Sequence, residues 1–471
     1  MTGKKHQETG FAHLHAHSHY SLLDGFATCD EYAARMREIN QKHLCITDHG
    51  VMGSIPEQIA ACEMVDGKPV KGEHKLFPIF GVELYVNPMQ PKVANRDESA
   101  AFRKSLGDNS GEVTPLQKKF DKSNHLLAIA YNLTGYTNLV RMTSWAWIHG
   151  YYRRPRVNHE ILQQYKEGII FTSTCGNSEI AQAFFEGGDE AGFAMIEKYM
   201  AMFGEHFRLE LMMLDWKMQK PYDAFLLRAH AKYGIPLFLS QDCHVCKKEH
   251  THNQHLMLLQ KGKKTLADVA ALIESGDADD VFELQDSNLW LKSEEELNEK
   301  WDSDYSEIID YDLYKQAKEN TVKIAEFCKG VQLDREIKLP RIPDAEAVLW
   351  DEVKKGFIQR QCPKSPAYLK RIREEYDLIT EKGYASYFLI QKMMTDEARD
   401  YTKRVLGFDP MYGVGPGRGS VCGSLLAYTL RLHDLDPLLH GLKFSRFLSP
   451  VRGGKQTKFI HTINPVSDKV P

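Results

Sequence analysis

The chain has 471 residues, 42% of them hydrophobic, and carries 60 Lys plus Arg against 64 Asp plus Glu, a formal net charge of −4. That length supports two or three domains with cores of their own, and the charge balance excludes a uniformly basic nucleic-acid-binding chain, so any basic surface must be local. No apolar run reaches the roughly 18 residues of a membrane span, no basic-then-apolar leader is visible, and nine cysteines without framework spacing fit a reducing compartment; a soluble cytoplasmic protein is expected.

The first predicted element is FAHLHAHSHYSLLDG, residues 11–25, with four histidines in seven residues and an Asp24-Gly25 close behind. As a strand it would place Phe11, His13, His15 and His17 on one face and Ala12, Leu14 and Ala16 on the other. Same-face Cα atoms then lie about 6–7 Å apart, close enough for the imidazoles to hold one metal ion or a neighbouring pair. A His-rich surface tract or tag is the plainer alternative; the regular alternation with apolar residues argues against it. An amphipathic helix over 30–40 follows, with Tyr32, Met36 and Ile39 inward. Residues 43–50 form a strand ending in Asp48, His49 and Gly50. Residues 77–86 read as a strand pair in which Glu83 is the one charge, costly unless a cation or hydrogen bonds meet it. Residues 89–123 read as a polar excursion or mobile loop. A strand over 125–131 carries His125 at its mouth, and a helix runs from Gly135 to about Trp147. In YYRRPR (151–156), Arg153, Arg154 and Arg156 with two tyrosines suit phosphate contacts and base stacking, although an exposed turn would look the same. A strand over 168–176 ends in Cys175, a long helix spans 178–203, and strands over 207–213 and 236–245 complete the beat.

Strand ends thus carry His15, His17, Asp24, His49, Glu83, His125, Cys175, Asp242 and His244. A barrel of alternating strands and helices gathers such ends at one mouth. Nine N, O and S donors exceed one ion's needs and suit two or three divalent ions, of zinc, manganese, iron or magnesium. Clustered ions point to metal-assisted hydrolysis of a phosphoester. Cys243 and Cys246 also make a Cys-x-x-Cys, but no second such pair is obvious for a structural zinc; His250, His252 and His255 read as solvated helix residues.

Near residue 285 acidic, helix-forming sequence replaces the strand beats, and a domain boundary is expected there. Glu294 to Glu296 read as an exposed helix start, and residues 339–343 as an extended connection. A helix over 367–382 would bury Leu369, Ile372, Tyr376 and Ile379. In GVGPGRGSVCGSLLAY (413–428) glycines crowd a turn, Ser420 can cap, and a small-residue helix follows, an arrangement that attracts phosphate. Arg418 adds a permanent charge.

These residues carry a resemblance. His15-Ala-His17 with Asp24, Thr47-Asp-His49-Gly, Gly81-Val-Glu83, His125, Cys175 and Asp242-Cys-His244 resemble the motifs of PHP metal hydrolases. HLHAHSHYSLLDG, ITDHG, YYRRPRV and FELQDSNLWLKSEEEL resemble, more closely, the bacterial C-family replicative DNA polymerases (DNA polymerase III α subunits), over roughly residues 11–450. The resemblance implies an α/β fold: a distorted, TIM-like β/α barrel over 1–285, holding a trinuclear centre on those nine residues, then a mostly helical, incomplete polymerase β-like palm over 286–450 and a divergent tail over 451–471. His13 lies outside the family's ligand set and would support it. The intact set implies 3′→5′ exonuclease activity on DNA. GPGRGS resembles the palm motif that handles an incoming nucleotide's phosphates, here Gly417, Arg418, Gly419 and Ser420. Asp434 and Asp436 fall in a segment structural in that pattern. The Pro-Asp-x-Asp-x-Asp strand that carries the polymerase aspartates is missing, so polymerisation is not expected from this chain alone. Expected partners are DNA, a second polypeptide supplying the rest of a split polymerase, and replisome proteins. The alternatives are a stand-alone PHP phosphatase on a small phosphoester and a non-catalytic polymerase half or assembly module.

Overall fold

A computed structural model describes residues 10–449, apart from 66, 71, 73–74, 109–110, 263–264, 266, 269–287 and 336–337, together with 458–462. The chain divides into two compact units, one up to Leu333 and one from Asp334.

The first unit is built on an eight-stranded sheet. Its strands are β1 (His43–Ile46), β2 (Phe77–Val86), β3 (Asn124–Ala130), β4 (Tyr151–Tyr152), β5 (Arg154–Val157), β6 (Ile169–Thr172), β7 (Phe207–Met212) and β8 (Leu237–Ser240). The order is β8-β7-β6-β3-β2-β5-β4, with β1 on the first half of β2. Residues 77–86 are one ten-residue strand, not the expected pair; its length lets one edge serve β1 and then β5 while the other pairs with β3. Four pairs are parallel, while β3 runs against both β2 and β6, and β4 against β5.

The opening segment, expected as a strand, is extended but makes only one isolated bridge, Ala16 with Cys243. It lies between the two edges of the curled sheet. Thr47 N donates to Ala16 O, Cys243 N to His15 O and His17 N to Cys243 O, while side chains complete the ladder: Ala12 N donates to Thr321 Oγ1 and His13 N to Gln41 Oε1. The alternation holds, because Ala12 and Leu14 pack inward with Ile79, Leu127, Ile129, Ile170 and Phe238. Ile324, Ala325 and Cys328 of the helix Tyr311–Cys328 seal that interior. Residues 288–333 therefore go with the barrel, although sequence character changes near 285.

Two further expectations are corrected. Within 89–123 the structure contains helices Arg96–Ser105 and Pro115–Asp121, the first capped by Asn95 and the second by a reciprocal Thr114–Gln117 box. The long helix Glu179–Phe203 is broken at Gly188, whose φ of 66° is left-handed.

The second unit is mostly helical: Ala345–Gln359, Pro366–Glu381, Ala385–Arg404 and the short Leu425–Thr429, around Leu349, Val353, Ile379, Phe388 and Leu426. Of the tail beyond 450 only the strand Lys458–Thr462 is described, parallel to Lys338–Arg341; the rest of 451–471 lies outside the described residues. On Pro366–Glu381, Ile372 and Ile379 are buried as expected, but Leu369 is exposed and Glu375 takes the buried place. Glu375 accepts from Leu425 N (3.0 Å), Leu426 N (2.9 Å) and Ser424 Oγ (2.8 Å) and pairs with Arg371 Nε (2.6 Å). Burial pushes its carboxyl up, and these donors pull it back. The helix start is thus held by Ser424 and Glu375, not by Ser420, which opens a 3-10 turn in an exposed loop. Glu375→Ala strands four donors and is expected to destabilise this unit by about 3 kcal/mol, read as a lower urea midpoint.

Candidate metal centre

Local backbone explains how the nine residues meet. His49 follows β1, Cys175 follows β6, and Asp242 and His244 follow β8, so all lie at the C-terminal mouth of parallel strands. His125 stands at the start of β3, and because β3 is antiparallel its start reaches the same mouth. Glu83 reaches it from within β2, bridged to His49. Asp242 (φ 45°) and Thr174 (φ 53°) are left-handed, a conformation that costs about 1–3 kcal/mol. Such strain concentrates where a side chain must be aimed.

Glu83 is the hub, fully buried. One oxygen lies 2.5 Å from His49 Nδ1 and 3.7 Å from His17 Nε2; the other lies 3.2 Å from His125 Nδ1 and 3.5 Å from His15 Nε2. Asp242 Oδ1 lies 3.3 Å from His15 Nε2, 3.1 Å from His17 Nε2 and 3.7 Å from His244 Nδ1. Asp24 spans His49 (3.4 Å) and His244 (3.6 Å). Cys175 Sγ sits 3.5 Å from His125 Nδ1 and 3.9 Å from Glu83. The His17 ring stacks between those of His49 and His244, with centroids 4.1 and 4.5 Å away. All nine predicted residues are therefore brought together.

The electrostatics follow from burial. Desolvation opposes a proton on His15, yet Asp242 and Glu210 overcome it and hold its pKa well above the usual value. Burial likewise opposes a proton on His49, and Glu83 overcomes it. On His17 burial prevails, helped by the charges of His49 and His244, and its pKa falls to about 3. Burial raises Glu83, but His125 and His49 pull it well below the carboxylate range. Burial and the neighbouring Glu83 push the Cys175 thiol well above its usual range.

The site fits divalent ions on its own geometry. His17 with His49 and His244, His15 with His17 and Glu83, and His49 with Glu83 and His125 form three overlapping groups whose ligand atoms lie within 4.8 Å of one another. His49 Nδ1, Glu83 Oε2 and Asp242 Oδ1 are buried and crowd their neighbours' ligand atoms (His49 to Glu83 2.5 Å, Asp242 to His17 3.1 Å) without meeting hydrogen-bond geometry, a crowding that a shared cation would resolve. Imidazole, carboxylate and thiol donors suit zinc, manganese or iron.

Sequence reasoning missed two supports. Glu210, fully buried in β7, accepts from His15 Nδ1 (2.7 Å), Thr172 Oγ1 (2.5 Å) and Ser240 Oγ (2.6 Å), fixing which nitrogen of His15 faces the centre. Its signal was present: it is the one acid in the apolar run FRLELMM, as Glu83 is in its own strand. Ser21 Oγ donates to Asp48 Oδ1 (2.9 Å) and lies 3.2 Å from His17 Nδ1. His13, expected to support the ligands, meets Lys292 O (2.8 Å) and Cys243 Sγ (3.6 Å) instead. His19 is half-exposed, with its Nε2 3.9 Å from Glu57 and away from the cluster.

The arginines separate. Arg156 is completely buried, bonded to Gln90, Phe120 O and Lys122 O and packed on Phe120, so it cannot steer a phosphate as expected. Arg153 is exposed at the turn. Arg154 lines a cleft of about 320 Å³ over the cluster and donates to Tyr85 Oη (2.6 Å). Gly417, Arg418, Gly419 and Ser420 form an exposed loop in the second unit. Asp434 takes Arg360 (2.6 Å) and Asp436 takes Tyr368 (2.8 Å) and the backbone of Leu438, the structural roles expected. Glu210→Gln keeps the shape but not the charge facing His15; metal affinity measured by competition with a chelating dye is expected to fall about 10- to 100-fold.

With this geometry in place, comparisons identify the relatives. The PHP domain family matches residues 13–213, and the bacterial DNA polymerase III alpha NTPase domain matches residues 346–455. Curated DNA polymerase III alpha subunits of Mycobacterium leprae and Mycobacterium tuberculosis are each 31% identical over 94% of this chain, covering 35% and 34% of their own lengths. That of Treponema pallidum is 28% identical over 94% of this chain and 33% of its own. The chain spans about a third of the length of the curated relatives it matches. It carries a PHP domain joined to a DNA polymerase III alpha-type region and is, along nearly its whole length, a relative of the DNA polymerase III alpha subunits.

Proposed function

We propose that the nine-residue cluster holds two or three divalent ions and hydrolyses DNA from a 3′ end. The observation that carries this reading is Glu83, a fully buried carboxylate shared by two of the three overlapping ligand groups. Ions held there would polarise a phosphoryl oxygen and activate the attacking water. The chain's own residues do the rest. Glu210 and the Ser21–Asp48 pair hold His15 and His17 in one orientation. Arg154, fixed by Tyr85, offers a permanent positive charge at the cleft wall where a phosphate would lie. Arg153 remains free to meet the DNA backbone from the exposed turn.

The exposed loop of Gly417, Arg418, Gly419 and Ser420 suits a nucleotide's phosphates, and we assign it to polymerisation completed by further chain or by a second polypeptide within a replisome. A cytoplasmic setting fits nine free cysteines, all buried as thiols. No helix among the described residues is long and apolar enough to cross a membrane.

With Mn²⁺ or Zn²⁺, the purified protein is expected to shorten 5′-labelled DNA carrying a mismatched 3′ end, and Asp24→Ala with His244→Ala to slow this about 100-fold or more. Hydrolysis of p-nitrophenyl phosphate alone would favour a small-molecule phosphatase, and degradation of neither substrate a metal-stabilised scaffold.

A further inference from the structure

The cleft over the cluster is not uniformly polar. Besides the cluster and Arg154, its lining includes Leu214, Trp216, Leu258 and Leu289, with Gln254 among them. Metal chemistry on a phosphoester needs no such wall; a phosphate and its sugar would leave these side chains against water.

Trp216 is placed with care. Its indole abuts Gly176, so close that a Cβ there would stand 2.2 Å from the ring, and Gly176 directly follows Cys175 of the cluster. Phe185 supports the ring edge-on at 5.6 Å. The aromatic side chain is thereby fixed one residue from the metal cluster. Gln254 is 1% exposed, and its Oε1 has no hydrogen-bond partner among the described residues. A buried amide oxygen left unpaired is costly unless a ligand supplies a donor. An aromatic face, an apolar floor and one unspent acceptor are what a nucleobase requires, since stacking accepts any base and an exocyclic amine satisfies the oxygen. The cleft, about 320 Å³, has room for one nucleotide.

We infer that this wall is a nucleobase pocket, which takes the last base of a DNA 3′ end out of its stack while its phosphate meets the cluster. The inference rests on the proposed DNA hydrolysis and supplies its substrate form: an unpaired terminal nucleotide. A mismatched end, already unstacked, enters at lower cost than a paired one.

The test is binding to the full metal-free chain, which keeps it separate from hydrolysis. Calorimetry compares dAMP with deoxyribose 5-phosphate, which lacks the base. The wild type is expected to prefer dAMP by roughly 5- to 150-fold, the value of one stacked base. Trp216→Ala brings the two ligands to parity, Trp216→Phe restores most of the preference, and Gln254→Leu weakens dAMP more than dTMP, which has no exocyclic amine. Equal binding of both ligands by the wild type, no measurable binding of dAMP, or a preference untouched in folded Trp216→Ala overturns the inference. Failure of the protein to degrade DNA would overturn the proposed function instead, and leave the measured base preference standing.

Discussion

A carboxylate at the middle of an apolar strand governs this barrel. Glu83 has Val82 and Leu84 as chain neighbours, both fully buried, and cannot be solvated. An isolated charge there is prohibitive, and the fold answers by turning four imidazoles onto its two oxygens. Those imidazoles need holding in turn, which is the work of Glu210, Asp242, Asp24 and the Ser21–Asp48 pair. Each added acid requires another cation, so the cluster becomes a lattice of alternating charge. Without metal, the surrounding acids overcome burial and raise the proton affinity of His15 and His49. Divalent ions would compete with protons for the same ligand atoms.

The topology makes the convergence possible. A purely parallel barrel would have carried the start of β3 to the far end, and His125 with it. Reversing β3 between β2 and β6 brings His125 to the mouth. The opening segment gives up regular pairing for a similar reason: held at both edges by a few backbone bonds and by Thr321 and Gln41, it can carry His15 and His17 inward while Ala12 and Leu14 fill the core below.

That these nine side chains would converge was legible in the sequence because most of them are polar residues at or in an otherwise apolar extended run, a pattern a solvated surface does not produce. Glu210 was missed although it bears the same mark as Glu83, because attention to strand ends passes over the middle of β7. Arg156 was misread for the opposite reason. Local composition shows a cationic, aromatic patch, but the partners that bury its guanidinium, Gln90 and the carbonyl of Phe120, lie far away in sequence. The change of character near 285 was real, yet the helix Tyr311–Cys328 shows mostly its charged outer face to a sequence reader, while Thr321, Ile324, Ala325 and Cys328 do the packing. The caps Asn95 and Thr114 could have revealed the helices within 89–123, as Ser424 could the true helix start after the glycine loop.

The central claim is that nine side chains at this mouth form one polynuclear metal site. Anomalous X-ray scattering from crystals soaked in Mn²⁺, recorded at the manganese edge, tests it most directly. Two or three peaks are expected within about 2.0–2.3 Å of donor atoms of the nine residues, with Glu83 touching more than one of them. An empty cluster under saturating metal, or a single ion that leaves Glu83 untouched, would contradict the account.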